Sequence, residues 1–359
     1  MTMREREKSG CRITVQKTII LLLACIGFAA ASIGSISTAE SIDSSIYLHN
    51  PGATDIRDYP LQFGRPFRRG DILDYPALSV DGSPVTTQAD VKCRWEDGSV
   101  KHAVISCVVP SIPSGQIVEI SFRDQASMDN SPLTAQQMLA DAFDFDAVIE
   151  LTGTNGQRLA ASARQMLADG RFAYWTSGPV ATTVILADHS ENRAYDVGFD
   201  AHRSFRPIFQ ATFWPALDRV KVRFIGEICN TEVLQGQEYD LALMLGRQQP
   251  EVVYQQAGIV HTARSRWTRA FWSHGDVPQI DIDMNLPYLS ATTLVYNYDF
   301  TKIIDEQAID DRYTRWLQSD RALFGTGNLD PIMPNAGGRS EIGPYPAWQL
   351  LLLHLVRAL

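Results

Sequence analysis

The sequence predicts a mainly β protein: a small β-barrel over residues 45–126, a β-sandwich over 127–300 and the beginning of an α-helical domain over 301–359. Three observations carry this. Short apolar or alternating runs broken by turn signals recur from residue 45 to about residue 298. Helical periodicity interrupts them once, at SPLTAQQMLADAF, and takes over only in TKIIDEQAIDDRYTRWLQSDRALF. The 359 residues, 45% hydrophobic and 20% charged, suit two or three globular domains with a sizeable core.

Residues 1–39 stand apart from that core. Arg4, Arg6, Lys8, Arg12 and Lys17 precede an apolar run from Ile19 to Ala31, and small residues end in Ser37-Thr38-Ala39. That order reads as a secretory signal peptide cut after Ala39, so the expected location is secreted or periplasmic. The run is short for a membrane span, and no transmembrane span is expected once it is removed. Leu22-Leu23-Ala24-Cys25 has the look of a lipoprotein box, but the apolar run continues past Cys25, which leaves lipid anchoring there as the lesser alternative. The segment carries five basic and two acidic residues, so its removal takes the net charge from −9 to −12. A chain that acidic is not expected to bind nucleic acid, because phosphate contacts need a basic face. Cys93, Cys107 and Cys229 would remain, too few for a disulfide framework.

The barrel strands are read from SIYLHNPG, YPLQFGRPFRRGDI, YPALSVDGSPVTTQADVKCRW, KHAVISCVVP and SGQIVEISF. In CRWEDGSVKHAVISC, Asp97-Gly98 predicts a two-residue hairpin turn. Glu96 then faces Ser99, Trp95 faces Val100 and Cys93 faces His102, with Cys107 on the opposite face from Cys93. Thr134 and Gln137 make a capping box that opens one short helix, Leu133 to Phe143. In DRVKVRFIGEI, Val220, Val222 and Phe224 share one face of a strand and Arg219, Lys221 and Arg223 the other. Near the end, AWQLLLLHLVRAL is apolar nearly all round, without a cap or breaker. It reads as a helix awaiting neighbours, as if the chain stops inside its helical domain.

Residues 60–106 resemble the N-terminal barrel of the exo-acting rhamnogalacturonan lyases and their bacterial relatives. The likeness rests on G-R-P-F-R-R-G at 64–70, D-G-S-P-V-T-T-Q at 81–88 and R-W-E-D-G-S-V-K at 94–101. The resemblance implies a RIFT-type barrel, then a β-sandwich, then an α/α toroid, the same β, β, α order that periodicity gives. It covers the barrel alone and maps no catalytic residue onto this chain. Calcium enters by this analogy only; the sequence itself shows no cofactor.

Elimination at a uronic acid needs a group to neutralise the carboxylate, a base and an acid. Three stretches are dense in suitable residues. DAHRSFRPIFQATFWP holds His202, Arg203, Arg206 and Trp214. HTARSRWTRAFWSHGD holds His261, Arg264, Arg266, Trp267, Arg269, Trp272 and His274. NAGGRSEIGPYPAW holds Asn335, Arg339, Glu341, Tyr345 and Trp348. The expected catalytic set is Arg339, Glu341, Tyr345 and His261; the expected substrate contacts are His202, Arg203, Arg266, Trp267, Trp348 and Asn335. Each has a plainer competitor: Arg264 and Arg266 as a solvated strand face, His202 and His261 as satisfied structural histidines. The last stretch is the hardest to read as scaffold, since paired glycines let the backbone approach a ligand. No nucleotide loop, zinc pattern, nucleophile elbow or calcium loop is present, and Asp281-Ile282-Asp283 and Asp310-Asp311 are too ordinary for metal sites. The function expected is an exported carbohydrate-active protein of polysaccharide lyase type on an acidic, rhamnogalacturonan- or pectin-like polymer. The alternatives are a glycoside hydrolase with Glu341 as one of two carboxylates, and a non-catalytic carbohydrate-binding protein.

Overall fold

The computed structural model of the chain describes residues 43–228, 236–295 and 305–327. Among these described residues it is mainly β, with four antiparallel sheets. Seven strands come first: β1 (Ile46–His49), β2 (Ile56–Pro66), β3 (Tyr75–Val80), β4 (Ser83–Pro84), β5 (Thr87–Arg94), β6 (Val100–Ile112) and β7 (Ile117–Gln125). Alternation puts Ile46, Leu48, Ile105, Cys107, Val118 and Ile120 into one core between a sheet containing β1, β7, β3 and β4 and a sheet ordered β2-β6-β5. Cys107 is buried and Cys93 exposed, and both carry free thiols; Cys229 lies outside the described residues.

The β5–β6 hairpin differs from its two-residue expectation. Trp95 N–H donates to Ser99 O at 2.8 Å and Gly98 N–H to Trp95 O at 3.0 Å, so the loop is three residues, Glu96-Asp97-Gly98. Only Gly98 in it takes a positive φ, 89°, and the Asp97 carboxylate accepts from Ser99 N–H and Oγ–H. The pairs are therefore Trp95 with Ser99 and Arg94 with Val100, and an irregularity beside Cys93 restores the expected Cys93–His102 pairing.

Thr134 and Gln137 form the capping box, but the helix it opens, α1 (Ala135–Met138), stops early and a 3-10 turn follows at Asp141–Phe143. Ala140, extended at ψ 152°, separates them. Met138 and Phe143 are both buried in the same core, and one continuous helix would set them about 140° apart around its axis. Next come β8 (Ala147–Gly153), β9 (Arg158–Ser162), α2 (Ala163–Ala168), β10 (Phe172–Thr176), β11 (Thr182–Leu186), β12 (Phe205–Trp214), β13 (Arg219–Ile228), β14 (Gln237–Leu245), β15 (Glu251–His261) and β16 (Arg266–Trp272). Sheet β10-β11-β12-β13-β16 supplies Phe209, Phe213, Val222 and Phe224, and sheet β15-β14-β8-β9 supplies Ile149, Leu151, Leu241 and Leu243, to one shared core. Gly226 is required there: a Cβ would stand 2.4 Å from the Trp267 indole.

Two devices join the β layers. Gln88, fully buried on β5, donates Nε2–H to Ala181 O at 2.8 Å, and its Oε1 accepts from Val180 and Ala181 N–H at 3.1 and 2.9 Å. A strand from the later region also returns to the first sheet. β17 (Asp281–Asp283), within the 127–300 span, pairs antiparallel with β1, Tyr47 opposite Asp283. Ile280, Ile282 and Met284 pack on the first core, a period-two signal present in QIDIDM. Arg65, fully buried, fastens the return: Nη1 donates to Met284 O at 2.6 Å and Nη2 to Ser44 O at 2.7 Å, with its guanidinium 4.7 Å from the ring centre of Tyr288. Tyr288 sits on α3 (Leu286–Ala291), capped by Asn285.

Of the helical domain expected over 301–359, α4 (Glu306–Gln318) and the turn after it to residue 327 are described; one helix does not show a toroid. The signal segment 1–39 and the apolar stretch 346–359 lie outside the described residues. No helix among the described residues is long and apolar enough to cross a membrane.

Candidate functional site

A concavity of about 710 Å³ lies where β2 of the first layer faces the outer surface of β12, β13 and β16. Antiparallel register builds one wall. Thr183, Thr212, Lys221 and Trp272 stand directly opposite one another across β11, β12, β13 and β16 and so share one face. Two residues along, Trp214 faces Arg219. Because Val220, Val222 and Phe224 fill the core from β13, Arg219, Lys221 and Arg223 must point outward. Tyr59 and Gln62 of β2 form the facing wall, and the strap Asp276–Ile280 on the way to β17 closes a third side.

The wall's chemistry is aromatic and cationic. Arg219 Cζ and Lys221 Nζ each lie 5.3 Å from a Trp272 ring centre, and the Trp214 ring lies 6.4 Å from that of Trp272 at 41°. Arg219 is committed: Nε and Nη2 both donate to Ser273 O at 3.2 Å, and Nη2 also to Gly275 O. Burial lowers the Arg219 pKa, opposed by the charge of Asp276. Partial desolvation against the wall, then the neighbouring Arg223, lowers that of the Lys221 ammonium, although the residue as a whole stays exposed. Tyr59 is raised by burial. The indole Nε1 of Trp214 is buried with no acceptor among the described residues. Rings, amides, a hydroxyl row and a cation in a space this size suit a short run of sugar units.

Two of the three sequence stretches meet here, through Trp214 and Trp272. The site residues expected from those stretches do not. His261 is 0% exposed: its Nε2 contacts Ser265 O at 3.0 Å and its Nδ1 the Tyr239 hydroxyl at 2.8 Å. A carbonyl only accepts, so Nε2 carries the proton and Tyr239 donates to Nδ1. Tyr239 in turn accepts from Trp267 Nε1 at 2.9 Å. Burial lowers the His261 pKa and keeps the ring neutral. His261 and Trp267 are thus structural core residues, every polar atom in use. Arg266 is exposed and pairs with Glu227, directly opposite, at 2.8 Å. His202 is half-buried in the loop before β12, where its backbone N–H donates to Asp200 Oδ1 at 3.1 Å. Exposed Arg203 donates to Asn192 O at 2.9 Å, and Arg206 contacts buried Asp196 at 3.3 Å. Asn335, Arg339, Glu341, Tyr345 and Trp348 lie outside the described residues.

Lys221, Tyr59, Gln62 and Gln279 sit in no sequence motif that marks them for chemistry. Lys221 was legible in one respect: alternation had already placed it opposite the core. Its meeting with Trp272 depends on a pairing between strands some fifty residues apart, which periodicity does not report. No group of three or more His, Cys, Asp or Glu among the described residues is placed to hold a metal ion. No family model and no curated protein sequence matches the chain.

Proposed function

We propose that the protein is an exported carbohydrate-active protein of polysaccharide lyase type, working on an acidic, rhamnogalacturonan- or pectin-like polysaccharide that it holds in the cleft between its two β layers. The observation that carries the reading is the cleft wall itself, with Trp214, Trp272, Lys221 and Thr212 on one face opposite Tyr59 and Gln62. Aromatic rings take the apolar faces of sugar rings, amides and hydroxyls take their hydroxyl groups, and a cation suits a uronate. The resemblance of residues 60–106 to the barrel of the exo-rhamnogalacturonan lyases points to the same polymer class. On this reading the cleft orients the chain, and the elimination chemistry falls to Arg339, Glu341 and Tyr345.

The hydrolase alternative needs two carboxylates flanking a glycosidic bond. Among the described residues lining the cleft, Asp276 is the one carboxylate, and it acts on Arg219. The test is incubation of the full chain with rhamnogalacturonan, following both the absorbance of a new carbon–carbon double bond and the release of reducing ends. Both signals rising together support a lyase. Reducing ends without absorbance support a hydrolase, retention without either supports a binding protein, and no interaction at all refutes the carbohydrate reading.

A further inference from the structure

Three cations project from the outer face of β13, and they are not equivalent. Arg219 is spent on the carbonyls of Ser273 and Gly275. Arg223 does not line the cleft. Lys221 does line it, and its Nζ has no hydrogen-bond acceptor or carboxylate partner among the described residues. The Trp272 ring 5.3 Å away draws that ammonium onto the wall, since the negative face of an indole attracts a cation.

The groups around Lys221 are short of acceptors. Thr183 and Thr212 hydroxyls are 3.0 Å apart, so one hydroxyl proton lies between them and the other has no acceptor among the described residues. Thr212 is 6% exposed and directly opposite Lys221. Trp214 Nε1–H, in a side chain 1% exposed, is likewise without an acceptor. The Trp214 N–H and the Thr212 hydroxyl are closed to solvent, so the exposed Lys221 ammonium is what this wall presents to a ligand. An ammonium held on the wall by Trp272 with no carboxylate partner among the described residues attracts a ligand that brings acceptors and negative charge.

We infer that Lys221 reads a carboxylate in this cleft and is the residue that makes it select a uronate-containing chain over a neutral one. The inference rests on the carbohydrate reading above. It also gives the local cation a purpose: a chain of net charge −9 repels an anionic polymer at long range, so binding depends on a cation presented at the contact itself. Lys221→Met keeps the stem over Trp272 and removes only the charge.

The experiment is calorimetric titration of the full chain and its variants with three probes: an oligosaccharide of alternating rhamnose and galacturonic acid, the same oligosaccharide after carboxyl reduction, and a sulfated glycan. Wild type is expected to prefer the uronide. Lys221→Met should weaken uronide binding about 10- to 100-fold, the worth of one charge-assisted contact, and leave the reduced chain within about twofold. Lys221→Arg should retain the preference. Lys221→Gln repeats the test should the Met variant fail to fold. Uronide binding unchanged in a folded Lys221→Met protein overturns the inference and leaves the carbohydrate reading standing. Equal wild-type binding of uronide and reduced chain, or preference for the sulfated glycan, also overturns it. Wild type that binds none of the three overturns the carbohydrate reading and the inference with it.

Discussion

Tyr239→Phe separates a structural His261 from a functional one. The substitution removes a single oxygen and keeps the ring, which packs edge-on against Phe205 with centroids 5.8 Å apart. That oxygen accepts from Trp267 Nε1 at 2.9 Å and donates to His261 Nδ1 at 2.8 Å, and all three side chains are buried. Its loss strands one donor and one acceptor. Each unmatched buried group costs about 1–3 kcal/mol, partly offset because the hydroxyl no longer has to be desolvated, so the net destabilisation is about 2–4 kcal/mol. At about 3 °C per kcal/mol for a domain of this size, Tm should fall about 6–12 °C in differential scanning calorimetry. Carbohydrate binding, measured well below the transition, should not change, because the network lies in the sandwich core rather than in the cleft. A Tm shift below about 1 °C would refute the network. Lost binding at unchanged stability would return His261 to the functional residues.

Arg65→Met leaves Ser44 O and Met284 O without their donor; against this stands relief from burying a guanidinium whose pKa burial lowers to about 10. The balance is a loss of about 1–3 kcal/mol in urea unfolding, together with faster proteolysis near Met284; unchanged values for both would show that the fastening does nothing. Asp188 gives an acid limb to stability. Burial alone would raise its pKa, but hydrogen bonds from Ser190 and from the Ala194 and Tyr195 N–H groups outweigh burial and hold it at about 2. A carboxyl depressed below its ordinary 3.8 contributes its stability above that value and loses it as pH falls toward 2. Unfolding midpoints at pH 7 and pH 3 should therefore differ less in Asp188→Asn than in wild type, and an identical difference would contradict the assignment.

The fold class was legible where strands carry a strict period of two, as β1, β8, β13 and β14 do: Val220, Val222 and Phe224 face the core as read. The hairpin at Asp97-Gly98 was found, but its loop length was not, since a three-residue loop with a glycine bulge and a two-residue turn share the same dipeptide. The early end of α1 follows from the demand that Met138 and Phe143 reach one core, which no local pattern states. For the site, the sequence offered density of Arg, His and Trp, and density does not tell inside from outside. In RSRWTRAFW, Trp267 is buried and Trp272 lines the cleft, although both sit on β16. Five residues of separation put them on opposite faces, so alternation held the distinction once the core face was known. The return of β17 beside β1 was signalled by Ile280, Ile282 and Met284, but period two names a strand without naming its partner.

Hydrogen–deuterium exchange of the full chain with and without a rhamnogalacturonan oligosaccharide tests the central claim most directly, because it reports where the ligand sits without relying on any variant. The cleft account predicts protection in three separated segments that line one space: 59–62 on β2, 212–221 across the β12–β13 hairpin, and 270–280 from β16 into the strap. Binding with protection confined to other segments, and these three unchanged, would contradict it.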